Sequence, residues 1–320
     1  MTLKTQISAF HSPIKTAGKR RSLFREILLN KYIYLLLLPG VAFYIIFSYI
    51  PMYGVTLAFK QFIIKKGILG SPWVGFRNFE YILGEPEFWK VFKNTLIISF
   101  GRIITGFPVP IIFAILFNEL REGAYKKGLQ TVYTFPHFLS WVIIAGIVRN
   151  LFSNDGAINN LLFLLGAEKY NFLASNNLFR PLLFITDIWK EAGWSSIIYL
   201  ATIAGISPEL YEAASIDGAN RFQRIIHITW PELRSTVVLL LILAVGNCMN
   251  AGFDQVYNLY NPLVYDSGDI IDTYVFRITF LTNPDFGVST AVGLFKSFIN
   301  MFLLIAADRF LKLIGERGIY

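Results

Sequence analysis

The sequence predicts an all-α membrane protein with six transmembrane helices, and three observations support that fold class. Of the 320 residues, 54% are hydrophobic and only 16% are charged, whereas a soluble domain carries about a quarter charged residues. The mean hydropathy is +0.51, and the apolar residues gather in blocks of about 20 residues, the length that crosses a bilayer. Prolines such as Pro108 and Pro136 lie inside these blocks, where membrane helices tolerate them because neighbouring groups satisfy the freed carbonyls.

Six apolar blocks, separated by more polar segments, are the predicted spans. In chain order they are Tyr32–Ile50, Thr95–Phe117, Val132–Leu151, Leu182–Ile203, Thr236–Gln255 and Val288–Ala307. The sequence shows no internal repeat at a fixed period. We therefore expect the chain to need a second subunit to enclose a pore.

The N-terminal arm, residues 1–31, is strongly basic, with Glu26 as its one acidic residue. Because Lys and Arg beside a span stay on the cytoplasmic side, we expect both termini in the cytoplasm, a transmembrane domain over 32–308 and a cytoplasmic tail over 309–320. The apolar run after the arm is too long for a signal peptide and lacks a small-residue cleavage site. The net charge of +8 is therefore read as basic residues beside the bilayer, and no nucleic acid is expected as a partner.

Catalytic and metal chemistry are not expected. The single cysteine, Cys248, lies in an apolar block and forms no disulfide or thiolate cluster. His11, His137 and His227 lack metal-ligand spacing. No glycine-rich phosphate-binding loop with its Lys and Ser or Thr occurs in the sequence. The chain is predicted to be no enzyme and to hold no metal or cofactor itself.

The most informative segment is the polar loop 207–231 between the fourth and fifth predicted spans. Ser207 can cap a first short helix, with Pro208 at its first position. Gly218 suits a left-handed residue that ends this helix. Asn220 can cap a second helix, from Arg221 to about Ile228, which Pro231 is expected to stop.

The faces of these two helices suggest a docking element. Ala213 and Ala214 are small enough to permit close approach, and Glu212 adds a charge beside them. The second helix carries an apolar stripe of Phe222, Ile225, Ile226 and Thr229. A short helix with this surface can enter a groove on a partner protein.

The loop resembles the EAA loop of ABC importer permeases. The family pattern is Glu-Ala-Ala, three residues, Gly, nine residues, then Ile-x-Leu-Pro; here it reads Glu212-Ala213-Ala214, Gly218 and Ile228-Thr229-Trp230-Pro231. The spacing matches throughout, and the one departure is Trp230 in place of Leu. We refer to residues 207–231 as the EAA-like loop.

Further segments resemble the oligosaccharide branch of the type I importers in this family, including those that carry acidic sugars such as alginate. They are Val74–Phe79, Phe92–Leu96, Asp187–Trp194, Ile198–Ala201 and Ala291–Lys296. The resemblance extends over nearly the whole chain after the basic arm.

The resemblance implies a multi-pass subunit of a bacterial inner membrane that gives alternating access to an oligosaccharide. Its expected partners are a second permease subunit, two ATPase subunits that bind ATP and Mg²⁺, and an extracytoplasmic substrate-binding protein. The family's coupling role falls on residues of the EAA-like loop, namely Glu212, Ala213, Ala214, Asp217, Gly218, Phe222, Ile228 and Pro231.

Polar residues inside the spans are the candidates for a hydrated sugar path, because isolated charges at membrane depth are expensive and face a cavity or each other. Asn247, Asn250 and Asp254 are predicted to share one face of the fifth helix. Lys296 and Asn300 do so in the sixth helix, and Asp187, Glu191 and Trp194 line one face of the fourth, with Lys190 nearby. For each residue taken singly, hydrogen bonding between helices is an equal alternative, and Arg102 is expected to be paired or to reach the membrane surface.

Two other classes of protein match the sequence less well. An ion-gradient-driven carrier would use Asp187, Glu191 and Asp254 as coupling sites, but it has no ATPase to dock on an EAA-like loop. An intramembrane enzyme lacks a nucleophile or metal set in this sequence.

Overall fold

The computed structural model describes residues 29–281, 284–313 and 315. The basic arm up to residue 28 and most of the tail predicted over 309–320 beyond Leu313 lie outside the described residues. In the described part the secondary structure is helical, apart from one isolated antiparallel bridge between Lys60 and Trp73. The all-α prediction is therefore confirmed for that part of the chain.

The chain divides into two compact units, Met1–Val55 and Thr56–Tyr320. The described part of the first unit is a helix, α1 (Lys31–Tyr44), continued by a π-helical turn (Ile45–Tyr49) and the start of a 3-10 helix (Ile50–Phe59). Pro39 lies inside α1. None of the side chains of α1 is buried, as expected for a helix that meets lipid or another subunit.

The second unit contains fifteen further helices among the described residues. They are α2 (Gly67–Gly70), α3 (Arg77–Gly84), α4 (Pro86–Gly106), α5 (Pro108–Glu119), α6 (Ala124–Thr134), α7 (Trp141–Phe152), α8 (Ala157–Leu164), α9 (Asn176–Ala204), α10 (Pro208–Ile216), α11 (Arg221–Arg224), α12 (Trp230–Gly246), α13 (Phe253–Leu259), α14 (Tyr265–Gly268), α15 (Ile271–Phe276) and α16 (Phe286–Leu313). Three buried apolar clusters join them, and these clusters include Leu183, Phe88 and Leu233 respectively.

Four helical stretches of the described chain are long and apolar enough to cross a membrane: Lys31–Phe59, Pro86–Glu119, Arg221–Gly246 and Phe286–Leu313. The bent pair Ala124–Phe138 and Trp141–Leu164 makes a fifth if it counts as one span. Helix α9 is not among them, because Asp187, Lys190 and Glu191 interrupt its apolar sequence.

The third predicted span is not a single straight helix. The segments Ala124–Phe138 and Trp141–Leu164 meet at 101°. The bend follows Pro136, and Ser140 begins the next helix by accepting a hydrogen bond from the Ile143 N–H at 3.4 Å. The Lys190 ammonium donates to the His137 carbonyl at 2.6 Å, so a buried lysine satisfies a carbonyl that the bend frees.

The fifth predicted span also breaks. Helix α12 ends at Gly246, and Gly252, in the left-handed region with φ +79°, precedes α13. The Asn300 side-chain oxygen accepts from the Met249 N–H at 3.0 Å across this break. The prediction that Asn247, Asn250 and Asp254 share one helical face is therefore wrong, since no continuous helix connects them.

At the end of α9 remote from the EAA-like loop, polar side chains tie the chain together. Asn94 donates to the carbonyls of Asp266 and Asp269 at 3.1 Å each and accepts from the Arg180 guanidinium at 2.9 Å. Asp269 also binds Arg277 at 2.7 Å. Burial lowers the pKa of Arg277, but the hydrogen bond and the negative charge of Asp269 raise it by a larger amount. The pKa of Arg277 therefore lies above its ordinary value. The segment Phe92–Leu96, which resembles the permease family, therefore has a structural role through Asn94.

Candidate coupling loop and translocation cavity

The EAA-like loop folds as two short helices joined by a tight turn. Helix α10 ends in a Schellman motif, in which the Ala219 N–H donates to the Ala214 carbonyl at 2.8 Å and the Gly218 N–H to the Ser215 carbonyl at 3.2 Å. Gly218 has φ +79°, a conformation that favours glycine. The left-handed turn predicted at Gly218 is thus present.

The two helix starts differ in how they are capped. Asn220 accepts from the Gln223 N–H at 2.9 Å, and the Gln223 side chain accepts from the Asn220 N–H at 2.8 Å, forming a capping box. Ser207 stands at the N-cap position of α10 but makes no side-chain cap hydrogen bond. The capping prediction is confirmed for Asn220 and not for the Ser207 hydroxyl.

Pro231 does not stop the second helix, contrary to the sequence prediction. The helix runs from Arg221 to Gly246 without interruption, through a π-helical turn over Ile225–Thr229. The Trp230 N–H donates to the Ile225 carbonyl, five residues earlier, so the wider turn accommodates the proline next to it. The loop therefore passes directly into the span that follows.

Two side-chain hydrogen bonds join α10 to the helix that begins at Arg221. The Tyr211 hydroxyl lies 3.0 Å from the Thr229 hydroxyl, and Arg224 donates to the Ser215 hydroxyl at 3.1 Å. Tyr211 and Ile228 also pack against the buried cluster around Leu233. These contacts join α10 to the start of α12.

The free face of the loop combines an acid with apolar groups. Glu212, Ala213 and Phe222 are exposed, and Phe222 shows 69% of its surface. The predicted apolar stripe does not stay on one face, because the π-helical turn over Ile225–Thr229 changes the direction of the side chains that follow Phe222. Thr229 is buried, whereas Phe222 points outward. A cavity of about 280 Å³ lies between the two helices of the loop. It is lined by Ala214, Asp217, Gly218, Ala219, Gln223, Arg224, His227 and Ile228.

A larger cavity of about 430 Å³ lies between α4, α5, α9 and α12. Of the residues predicted to face a substrate path, it brings together Asp187, Glu191, Trp194 and Asn247. Its other polar or aromatic lining residues are Arg102, Ser195, Phe107 and Tyr199. We call it the central cavity.

The charged groups at the central cavity are incompletely satisfied by the protein. The Arg102 guanidinium donates to the Gln255 side-chain oxygen, and its Nε has no partner among the described residues. The Asp187 carboxylate makes no hydrogen bond or ion pair within the described residues. Since such groups are costly at membrane depth, they require water or a polar ligand in the cavity.

One wall of the cavity is held by a cluster on α9 and the preceding bend. His137 Nδ1 lies 2.7 Å from the Glu191 carboxylate, and the Lys190 ammonium is 3.0 Å from its other oxygen. The His137 ring stacks on Trp194 with the centroids 4.6 Å apart and the planes 2° from parallel. This stacking fixes the indole of Trp194 at the cavity wall.

The other predicted path residues do not line the central cavity. Lys296 pairs with Asp272 at 2.5 Å, and Asn300 satisfies the backbone of the broken fifth span. Asn250 and Asp254 are exposed on either side of Gly252. Their assignment to the path stays a prediction.

His137 and Arg102 are candidate site residues for which the sequence predicted no place on the substrate path. For His137 the sequence indicated only that metal-ligand spacing is lacking. Its neighbour Pro136 and the cap Ser140 were the available signals for a helix break. The partner Glu191 is distant in sequence, so the pairing itself needed the fold.

Comparison with known proteins places this architecture in a family. Residues 106–316 match the model described as binding-protein-dependent transport system inner membrane component. The chain belongs to this family, and is a permease subunit of an ABC importer that works with a substrate-binding protein. It is a transport component rather than an enzyme, and the ion-gradient alternative is set aside.

Two relatives from Bacillus subtilis (strain 168) extend over nearly the whole chain. The polygalacturonan/rhamnogalacturonan transport system permease protein YteP is 43% identical over 320 residues, covering 100% of this chain and 99% of YteP. Protein LplB is 42% identical over 310 residues, covering 97% of each.

Solved structures agree with these relatives. A chain of a bacterial alginate ABC transporter, in complex with a periplasmic protein bound to alginate pentasaccharide, has a TM-score of 0.85 and 36% identity, covering 93% of this chain and 100% of that one. A second structure, of an ABC transporter that imports the acidic polysaccharide alginate, has a TM-score of 0.84 and 37% identity, covering 92% and 99%.

Proposed function

We propose that this permease conducts an acidic oligosaccharide and that its EAA-like loop docks on an ATPase subunit. The observation that carries the coupling role is the loop itself, a helix pair joined rigidly at Gly218 and continuous with the following span through Pro231. The exposed Glu212 and Phe222 supply a charge and an apolar side chain for the partner's groove. Asp217 and Ile228 line the cavity between the two helices of the loop.

The complete assembly is proposed to contain this chain, a second permease subunit, two ATPase subunits and an extracytoplasmic binding protein. ATP and Mg²⁺ belong to the ATPase subunits, because this sequence has no phosphate-binding loop. In this assembly the chain crosses the membrane six times, with the four apolar stretches, the bent pair and α9 as the spans. The basic arm supports a cytoplasmic position for both termini.

The central cavity supports an oligosaccharide as cargo. Trp194 offers an aromatic face for a sugar ring, while Asn247 and Asp187 can bond hydroxyl groups. Arg102 can pair with a carboxylate. Polygalacturonan and alginate, which appear in the names of similar transporters, support a uronate-containing cargo.

The test is uptake by the purified complex in proteoliposomes with its binding protein. We expect ATP to drive uptake of a labelled galacturonate oligomer, while a carboxyl-reduced oligomer of equal length enters far more slowly. An ionophore should leave the rate unchanged. Equal uptake of both oligomers would contradict the acidic cargo, and uptake without ATP would contradict the coupling.

A further inference from the structure

Residues 60–76 form a closed loop, which we call the Trp73 loop, between the first two apolar stretches. Its ends are joined, because the Val74 N–H donates to the Phe59 carbonyl at 2.9 Å and the Gln61 N–H to the Pro72 carbonyl at 3.0 Å. Lys60 and Trp73 form the bridge between them. The loop is therefore a compact unit rather than an open connection.

The polar groups inside the Trp73 loop are satisfied by the loop itself. The buried Lys60 ammonium donates to the Ile68 carbonyl at 2.7 Å and lies 4.9 Å from the centroid of the Trp73 ring. The Ser71 hydroxyl donates to the Gly67 carbonyl at 2.6 Å and accepts from the Ile63 N–H at 3.0 Å. These bonds fix the backbone while the apolar side chains point outward.

The outward surface is apolar and basic. Ile64, Leu69, Trp73 and Phe76 expose between 65% and 80% of their surface, although they lie outside the four apolar stretches. Exposed apolar groups of this size mark an interaction site. Lys65 and Lys66 are exposed beside them, with no ion-pair partner among the described residues.

The position of the loop places this surface at the end of a span. The Phe62 ring packs edge-on against Phe286, the first residue of α16, at 5.5 Å between centroids. The Lys60 carbonyl lies so near Gly287 that a Cβ there would be 2.7 Å away. Because an apolar stretch long enough to cross a membrane begins at Phe286, the loop packs against one end of that stretch.

We propose that the Trp73 loop is an interfacial anchor that binds a membrane surface rich in anionic phospholipid. Ile64, Leu69 and Trp73 enter the region between headgroups and acyl chains, where tryptophan is favoured. Lys65 and Lys66 contact the lipid phosphates. The anchor holds the base of α16 at a defined depth, and under the proposed topology it does so in the leaflet facing away from the ATPase subunits.

The test measures the depth of the loop in the full complex. Leu69→Cys in a Cys248→Ser background is labelled with a fluorophore and placed in nanodiscs containing phosphatidylglycerol and a lipid with a nitroxide near the top of its acyl chain. The matched control is Glu168→Cys, an exposed loop position outside the apolar stretches. We expect quenching at Leu69 to exceed that at Glu168 about threefold or more, as insertion of apolar groups requires. Ile64→Cys provides a second position with the same expected result.

The lysines are tested in the same system. The double variant Lys65→Glu, Lys66→Glu should reduce the fraction of Trp73 loops inserted in the membrane. Replacement of phosphatidylglycerol by phosphatidylcholine should do the same. The expected reduction is about fivefold for each lysine that no longer contacts anionic lipid. Quenching unchanged by both would overturn the anionic-lipid assignment. A label at Leu69 quenched no more than at Glu168, or one shielded only when the binding protein is added, would overturn the anchor and make the loop a protein-docking surface.

Discussion

Gly218 shows how a single residue shapes the EAA-like loop. Its φ of +79° lies in the left-handed region, and a Cβ added there would have no atom within 4 Å. Any effect of a substitution therefore comes from backbone strain rather than from a clash. This makes Gly218 a clean probe of how far the loop's shape matters to coupling.

We predict that Gly218→Ala weakens coupling without unfolding the protein. A Cβ in the left-handed conformation costs about 1–2 kcal/mol, so the turn between α10 and α11 opens more often. The measurement is the number of oligosaccharides imported per ATP hydrolysed in proteoliposomes. Gly128→Ala is the matched control, since Gly128 also has open space but no positive φ. Equal coupling in both variants would remove the turn from the mechanism.

Gly193, in contrast to Gly218, lies in closely packed surroundings that leave no room for a side chain. A Cβ at this position would overlap the carbonyl of Tyr133, where α9 crosses α6. We predict that Gly193→Ala lowers the thermal stability of the complex in detergent, since overpacking costs about 1–3 kcal/mol. Gly293→Ala, which has open space around it, should melt as the unmodified protein does. An unchanged melting temperature for Gly193→Ala would show that the two helices separate freely.

At the level of elements, two predicted spans are broken rather than straight. Apolar periodicity and length predicted where these spans lie, because both are local properties of the sequence. The breaks depend on distant partners: Lys190 satisfies the bend at His137, and Asn300 satisfies the backbone at Met249. Such pairings follow from the fold, so the sequence alone could not separate a broken span from a straight one.

The loop's helix starts provide a matched test of an element. Asn220→Ala removes the hydrogen bond that the Asn220 side chain accepts from the Gln223 N–H, and loss of an N-cap costs about 1 kcal/mol. We expect it to lower the coupling ratio and to increase amide hydrogen exchange over α11. Ser207→Ala should change neither, because the Ser207 hydroxyl makes no cap bond. Similar exchange in the two variants would mean that the capping box does not order α11.

At the level of the whole molecule, the sequence was most informative where function depends on a local motif. Gly218 predicted the left-handed turn and Asn220 the cap of the second helix, whereas the helix stop expected at Pro231 was wrong. Helical spacing predicted the face of α9 that lines the central cavity, with Asp187, Glu191 and Trp194, but not that Arg102 reaches the cavity from α4. A cavity is built from side chains distant in sequence, and no periodicity reports which of them meet.

The most direct test of the account is a contact between the EAA-like loop and an ATPase subunit. A photo-cross-linking amino acid replaces Phe222, which is 69% exposed, and Leu69 of the Trp73 loop carries the same group as the control. We predict that the Phe222 position cross-links to the ATP-binding subunit, with a yield that changes when ATP binds, and that the Leu69 position does not. A Phe222 position that never reaches this subunit in a complex that still imports its cargo would contradict the account.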